Sequence, residues 1–448
     1  MLKTTLFHGT EKHFFPLLSL LILLLLFLSI SSYIHLPYSA FTLSILTDST
    51  SEMCTGRYIY AYDLPDKFNS DIVRDCRNLL PWHHMCPSVS NMGLGPRVRG
   101  TGSVLTAGGW HFTNQWVLDF IFHNRMKQYG CLTSNSSQAD AIFVPYYAGL
   151  DTGRRLWNHN ITERDLLLVE LFDFLRSRPE WLAKGGRDHF LLSGRTTWDF
   201  RRQGDDSHLW GGKLLTLPEV KNMTVLLIES CPWGNENEFA IPYPTNFHPS
   251  KGSQVLAWQE KVRSVNRQWL FSFVGARRPD QVLSIRDQVV GQCLNSTRCN
   301  LLDCASPAND CNSPNTIMSL FERSTFCLEP PGDSPTRRSI FDAMLAGCIP
   351  VFFNPHSAYT QYRWYLPTNY TEYSVYIPED DVREGRVRIE QVLSKYNVEQ
   401  IGEMKDTVIR LIPTLIYKDP SHKTESVRDA FDVAIDGVLG RVKSLMGA

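Results

Sequence analysis

Hydrophobic and polar positions alternate in recognisable ways along the chain. Phe14 to Ile34 is a block without a single charged residue. As a helix it spans roughly 31 Å at about 1.5 Å per residue, close to the hydrocarbon thickness of a bilayer. After it the apolar residues come in short unbroken runs bounded by turn formers: Arg57-Tyr-Ile-Tyr-Ala-Tyr62, Ala139-Asp-Ala-Ile-Phe-Val-Pro145, His189-Phe-Leu-Leu-Ser193 and Val225-Leu-Leu-Ile228. Such runs read as strands covered on both faces of a parallel sheet. Between them lie stretches of helical spacing: Thr113 to Tyr129, with Trp116, Val117, Phe120, Ile121 and Met126 on one side, and Thr162 to Arg178, with Thr162 as its N-cap.

A Pro-rich crossing, Ile241-Pro-Tyr-Pro-Thr-Asn-Phe-His-Pro249, reads as the approach to an interdomain hinge. The pattern then restarts with strand Leu270–Val274, a helix from Asp280 to Gln292 and a cysteine-bearing loop. Helix Asn315–Arg323, strand Thr325–Leu328, helix Thr336–Ala346 and strand Cys348–Phe353 follow. Strand–helix alternation in two series predicts two α/β units facing across a cleft, with ligands at the carboxyl ends of strands. The division expected is a cytosolic tail at 1–13, an anchor at 14–34, a stem at 35–55, a first domain at 56–255 and a second at 256–448.

Charge and cysteine place this architecture in a compartment. Lys3 and Lys12 precede the apolar block and the next charged residue is Asp48, so the positive-inside bias leaves the short N-terminus in the cytosol. A cleaved signal peptide is the alternative, but the run is long for one and lacks a small-x-small cleavage site. Sequons at Asn135, Asn160, Asn222, Asn295 and Asn369 all follow the block, as on a glycosylated luminal protein. Of 11 cysteines, Cys293, Cys299, Cys304 and Cys311 share one loop-like segment without the two-residue gap of a zinc knuckle. Disulfides are expected there, and the odd total leaves a thiol unpaired within the chain. These signals describe a single-pass type II protein of the secretory pathway, as Golgi-resident enzymes are. With 45 basic and 46 acidic residues, no basic face for nucleic acid is expected.

Candidate chemistry concentrates between Ser324 and Phe353. A strand ends at Glu329-Pro-Pro-Gly332-Asp333, Ser334 reads as an N-cap and Pro335 as the first helical residue. The expected helix tip would aim free N–H groups at an anion over the strand end. Arg337 and Arg338 in its first turn oppose the helix dipole, which an anionic ligand explains. Arg338 and Asp342, four apart, share a face, and Asp342 is placed to accept both hydroxyls of a ribose. Alternatively this is an ordinary strand–helix–strand with a surface ion pair. A Walker-type loop, a usable Gly-x-Gly-x-x-Gly and any Asp-x-Asp are missing from the sequence, so Arg and N–H groups rather than a metal are expected to neutralise a diphosphate. Paired Arg277 and Arg278 after Phe273-Val-Gly275 add positive charge to the same half.

Ser324-Thr-Phe-Cys-Leu-Glu-Pro-Pro-Gly332 through Gly347-Cys-Ile-Pro-Val351 resembles the nucleotide-binding signature of the exostosin-like transferases, glycosyltransferase family 47. The resemblance extends through Phe271-Ser-Phe-Val-Gly275, Ala139-Asp-Ala-Ile-Phe-Val-Pro-Tyr-Tyr147 and Arg57-Tyr-Ile-Tyr-Ala-Tyr-Asp63, and so covers residues 56 to about 400. Pro81-Trp-His-His84, Asn91-Met-Gly-Leu-Gly-Pro96, Gly194-Arg-Thr-Thr-Trp-Asp-Phe-Arg-Arg202 and Ala240-Ile-Pro-Tyr-Pro-Thr245 are similar to the plant xyloglucan galactosyltransferase branch. The resemblance implies a GT-B architecture of two Rossmann-like domains, and inversion at the anomeric carbon of a UDP-galactose donor. The product would be a β-linked galactose on xylose side chains of xyloglucan. It implies Asp342 at the ribose and Gly332, Asp333, Ser334, Arg337, Arg338 and Arg277 toward the diphosphate, with Glu329 facing the same space.

Inversion also requires a base from the first domain. The candidates are Asp199, at the family's usual aspartate but with Trp198 in place of its histidine, His111 in Gly108-Gly-Trp-His-Phe-Thr113, and Asp151. Trp110, Trp198, Tyr146, Trp210 and Trp233 are candidates to stack on a glucan acceptor. No metal or other cofactor is expected beyond the donor. The partners expected are the UDP-sugar, xyloglucan, the Golgi membrane and a homo- or hetero-oligomer with other wall glycosyltransferases. Another UDP-sugar such as UDP-galacturonate, another wall glycan, or a non-catalytic luminal subunit of a transferase complex remain alternatives.

Overall fold

A computed structural model describes residues 54–447 apart from 100, 101, 103, 158, 235 and 423–426. The tail at 1–13, the anchor at 14–34 and nearly all of the stem lie outside the described residues. Among those described, no helix is long and apolar enough to cross a membrane. The chain divides into Met1–Thr55 and Gly56–Ala448, and the fold described here belongs to the second unit.

Two parallel sheets organise that unit. The first contains β1 (Ile59–Ala61), β2 (Leu132–Thr133), β3 (Ala141–Phe143), β4 (His189–Thr196), β5 (Thr224–Glu229) and β6 (Glu238–Ala240), in the order β2-β1-β3-β4-β5-β6. The second contains β7 (Trp269–Gly275), β8 (Cys299–Asp303), β9 (Ser324–Glu329), β10 (Ile349–Phe352) and β11 (Val375–Tyr376), in the order β11-β10-β9-β7-β8. Every pairing is parallel. In each sheet the chain goes to one side of its first strand and then jumps to the other, which opens a crevice beside β1 and another beside β7. The apolar runs foresaw the central strands because a parallel strand is buried on both faces. They missed β8, whose residues are all half-buried at a sheet edge within the cysteine segment.

Helices cover the sheets: α1 (Leu118–Met126), α2 (Ala148–Arg154), α3 (Ile161–Arg176), α4 (Gly252–Ser264), α5 (Arg286–Leu294), α6 (Pro314–Phe321), α7 (Ser339–Leu345), α8 (Val398–Leu415) and α9 (Ala430–Gly447). Several start differently from expectation. The cap of α3 is Asn160, whose Oδ1 accepts from Thr162 N at 2.9 Å, so Thr162 lies inside the helix. Before α1 the chain makes a 3-10 turn at Gln115–Val117, capped by Asn114 Oδ1, which accepts from Trp116 N at 3.0 Å. α5 begins at Arg286 rather than Asp280, since turns closed by Gln281 N to Arg278 O and Ser284 N to Gln281 O occupy the preceding residues.

Buried polar groups tie the first lobe together. Asp119 on α1 accepts from Gly149 N and Gly194 N, each at 3.0 Å, and burial pushes its carboxyl up to about 7. A Cβ on Gly149 or Gly194 would lie 2.7 or 2.5 Å from Asp119 Oδ2, so the carboxylate can enter only where neither residue has a side chain. The terminal helix α9 returns to this lobe. Phe431 packs on Phe122 with ring centroids 4.8 Å apart, and Arg125 forks onto Asp429 at 2.9 and 3.1 Å.

The lobes are joined by buried hydrogen bonds. Ser230 N donates to Gln361 Oε1 at 2.8 Å, Gln361 Nε2 returns to Ser230 O at 2.9 Å, and Tyr362 OH donates to Ile228 O at 2.9 Å. Nor does the Pro-rich crossing behave as the approach to a free hinge. Residues 241–249 are buried throughout, with Asn246 O accepting from His111 N at 2.8 Å and Pro242 O accepting from Tyr417 OH at 2.8 Å. Disulfides Cys293–Cys299 and Cys304–Cys311 account for the clustered cysteines; Cys76–Cys86 and Cys327–Cys348 are also paired, and Cys231 is a free thiol.

Candidate active site

A cleft of about 820 Å3 opens between the lobes. Its first-lobe wall is the loop around Trp82, His83 and His84 together with Phe112 to Trp116. Its second-lobe wall is Gly275 at the end of β7, then Arg278, Arg286, Arg337, Arg338, Ser339 and Asp342. Four guanidinium groups and a single carboxylate therefore face this space. Arg286 is 5% exposed, and burial together with the neighbouring charges of Arg337 and Arg278 pulls it down to about 9. Burial and Arg278 also hold Arg337 below its usual value. Glu329 and Asp333 offset only part of this, so positive charge is left concentrated on one wall of the cleft.

The arginines are held from behind. Arg286 Nε donates to Pro331 O at 3.0 Å, and its Nη2 would lie 2.9 Å from a Cβ on Gly332, so a side chain there would push this guanidinium aside. Arg338 Nη1 reaches across the cleft to Thr113 O at 2.6 Å, while its Nε and Nη2 are buried without a hydrogen-bond partner in the protein. Asp342, 7% exposed, sits 3.4 Å from Arg338 through Oδ2 and leaves Oδ1 buried and unpartnered. Burial raises its carboxyl, and Arg338 offsets part of that. Glu329, at the end of β9, accepts from Ser339 Oγ and faces Arg337.

The segment after β9 corrects one expectation. Ser334 does not cap a helix and Pro335 does not begin one: residues 330–338 form a loop, and α7 starts at Ser339 without a side-chain cap. The reason lies in the other lobe. Glu229, at the end of β5, accepts from Ser334 Oγ, from Trp198 Nε1 at 3.1 Å and from the Thr336 backbone, so the would-be first turn is drawn out toward β5. Asp342 consequently stands in the first turn of α7 rather than two turns in. The positive charge on this wall therefore comes from side chains and not from a helix tip.

The remaining sequence candidates are distributed as follows. Asp199 is buried with both oxygens engaged, Oδ2 by Arg195 Nε at 2.6 Å and Oδ1 by Trp210 Nε1. Asp151 is likewise taken, by Tyr146 OH and Arg154, which also buries Tyr146. His111 is 2% exposed against His248, and burial lowers its pKa. None of these four lines the cleft. Arg277 is exposed, with a 3.4 Å bond to Asp287 O, and it is Arg278 that faces the cleft. Asp333 is exposed and pairs with Arg278 at 2.8 Å. The five sequon asparagines are all exposed.

Residues 53–393 match the model of the Exostosin GT47 domain. The chain belongs to the exostosin GT47 family. It is 54% identical over 398 residues to xyloglucan galactosyltransferase MUR3 of Arabidopsis thaliana, covering 89% of this chain and 64% of that one, so it spans less than two thirds of that relative's length. It is 52% identical to the probable xyloglucan galactosyltransferase GT12 of the same plant, covering 89% of this chain and 79% of the relative. Xyloglucan-specific galacturonosyltransferase 1, also from Arabidopsis thaliana, is 40% identical, covering 87% and 58%. Within this GT47 chain, sequence reasoning overlooked Arg286 and Glu229. The latter was within reach, because a lone acid directly after the run Val225–Ile228 stands at a strand's carboxyl end, where ligand sites gather.

Proposed function

We propose that the protein is an inverting glycosyltransferase that carries galactose from UDP-galactose in β linkage to xylose side chains of xyloglucan. The observation that carries this reading is the guanidinium excess of the cleft, four Arg to one Asp, beside an unpartnered buried carboxylate oxygen. Arg278, Arg286 and Arg337 hold the diphosphate and stabilise charge as it develops on the leaving oxygen. Asp342 Oδ1 accepts from the ribose hydroxyls. No divalent ion is required in this scheme, since the arginines supply the positive charge. The sequons and the apolar block at 14–34 support a Golgi membrane protein whose catalytic part is luminal.

The experiment is transfer by the purified full chain from a panel of UDP-sugars to xyloglucan oligosaccharides, with and without chelator, beside calorimetry with UDP. Galactose transfer that survives chelation is expected, and Asp342→Ala should weaken UDP binding at least tenfold. Strict dependence on manganese or full activity in that variant would refute the scheme. A second reading is favoured by the same charge excess: a donor with a carboxylated sugar, such as UDP-galacturonate, would give a partner to Arg338 Nη2, which has none. Transfer from that donor alone would select it.

A further inference from the structure

Galactosyl transfer by inversion needs a group that removes the proton of the attacking hydroxyl, and the cleft itself narrows the choice. Asp199, Asp151 and His111 are buried outside the lining, the two aspartates with every oxygen committed. Among the described first-lobe side chains that line the cleft, the polar ones are hydroxyls and amides such as Thr113 and Asn114, with two exceptions, His83 and His84. Both are exposed to the space, and an imidazole is the side-chain type suited to taking a proton near neutrality.

The loop that carries them is held in place at two points. Cys76–Cys86 closes it covalently. Trp82, immediately before the pair, stacks on Trp157 with centroids 5.6 Å apart and planes 15° from parallel, and Trp157 stacks on Trp210 at 4.7 Å and 16°. Trp210 in turn donates to Asp199, which Arg195 fixes from the other side. Such ties preorganise a site instead of leaving an exposed loop to wander.

Resting on the transferase reading, we propose that the base is an imidazole of the His83–His84 pair. In the step, the acceptor hydroxyl oxygen forms its bond to the anomeric carbon as its proton passes to an imidazole nitrogen. The bond from that carbon to the diphosphate breaks at the same time, its electron pair leaving with UDP toward Arg337 and Arg286. The imidazolium then returns its proton to solvent. Asp199 acts through Trp210 as a positioning residue for this loop.

The test measures steady-state transfer by the full chain carrying His83→Gln, His84→Gln or both, with UDP binding followed by calorimetry. One single variant and the double should lose about 10²–10⁴-fold in kcat and the acidic limb of the kcat/KM profile, with UDP affinity within threefold of the parent. A double variant within threefold of the parent kcat, or with its acidic limb intact, overturns the proposal. Because a double variant can misfold, the parent is also treated with diethylpyrocarbonate and the modified histidines located by mass spectrometry. Inactivation should track His83 or His84, be slowed by acceptor and be reversed by hydroxylamine. Activity that survives modification of both, or is lost with another histidine, equally overturns it. A parent that turns over no UDP-sugar refutes the transferase reading and this inference together, whereas a double variant that turns over within threefold of an active parent refutes the inference alone.

Discussion

The carboxyl of Glu329 is 1% exposed, with Arg337 beside it, Asp342 nearby and Oε1 unpartnered. Burial pushes it from 4.5 to about 7, further than Arg337 and Ser339 pull it back. Because the folded value is the higher one, its contribution to stability is fully present below about pH 4.5 and is lost as pH rises toward 7. Glu329→Gln removes that loss. The variant should therefore gain on the parent by on the order of 3 kcal/mol between pH 4 and pH 8, read as the difference in denaturation midpoints. A constant difference would show that Glu329 titrates as it would in water. Single residues of this kind were partly legible in the sequence. Asp342, Arg337 and Arg338 were visible because they crowd one motif, while Arg286 was not, since nothing in its neighbourhood announces that helix α5 begins at the cleft. Asp199 and His111 were chosen by residue type and position, which do not reveal that Arg195 and Trp210 already occupy the first and that the second is buried away from the cleft.

Among the elements, apolar runs gave β3, β5, β7, β9 and β10 because a parallel strand has no polar face to conceal it. The loop at 330–338 could not be read in the same way. Ser334-Pro335 carries a helix-start signal, and the competing attraction comes from Glu229, more than a hundred residues away in sequence. Local propensity loses to a tertiary hydrogen bond of that kind. Glu229→Ala should release the loop, raising KM for the donor severalfold more than it lowers kcat; equal effects on both would argue against a role in shaping the donor site. The junction of α1 with α2 and β4 makes a second element-scale case. Gly194→Ala puts a methyl group 2.5 Å from Asp119 Oδ2 and should cost about 1–3 kcal/mol, measured by denaturant unfolding. A neutral result would mean that α1 shifts freely.

For the whole molecule, two parallel α/β lobes and an intervening cleft follow from the restart of the strand–helix pattern after residue 249. What the pattern does not convey is how firmly the lobes are joined. The crossing at 241–249 has the prolines of a flexible linker, yet Tyr417, His111 and Gly109 bond to it from both sides. Proline fixes backbone torsions without saying whether the segment is free or clamped. The return of α9 to the first sheet is similarly invisible to local reading, since its apolar face would suit either lobe.

Gln361 illustrates what such clamping entails. Its amide gives and takes hydrogen bonds with Ser230 in the buried seam, so swinging the lobes apart would break all of them together. A cleft bounded by such a seam is expected to keep its width when a ligand enters. Small-angle scattering should find the same radius of gyration with and without saturating UDP.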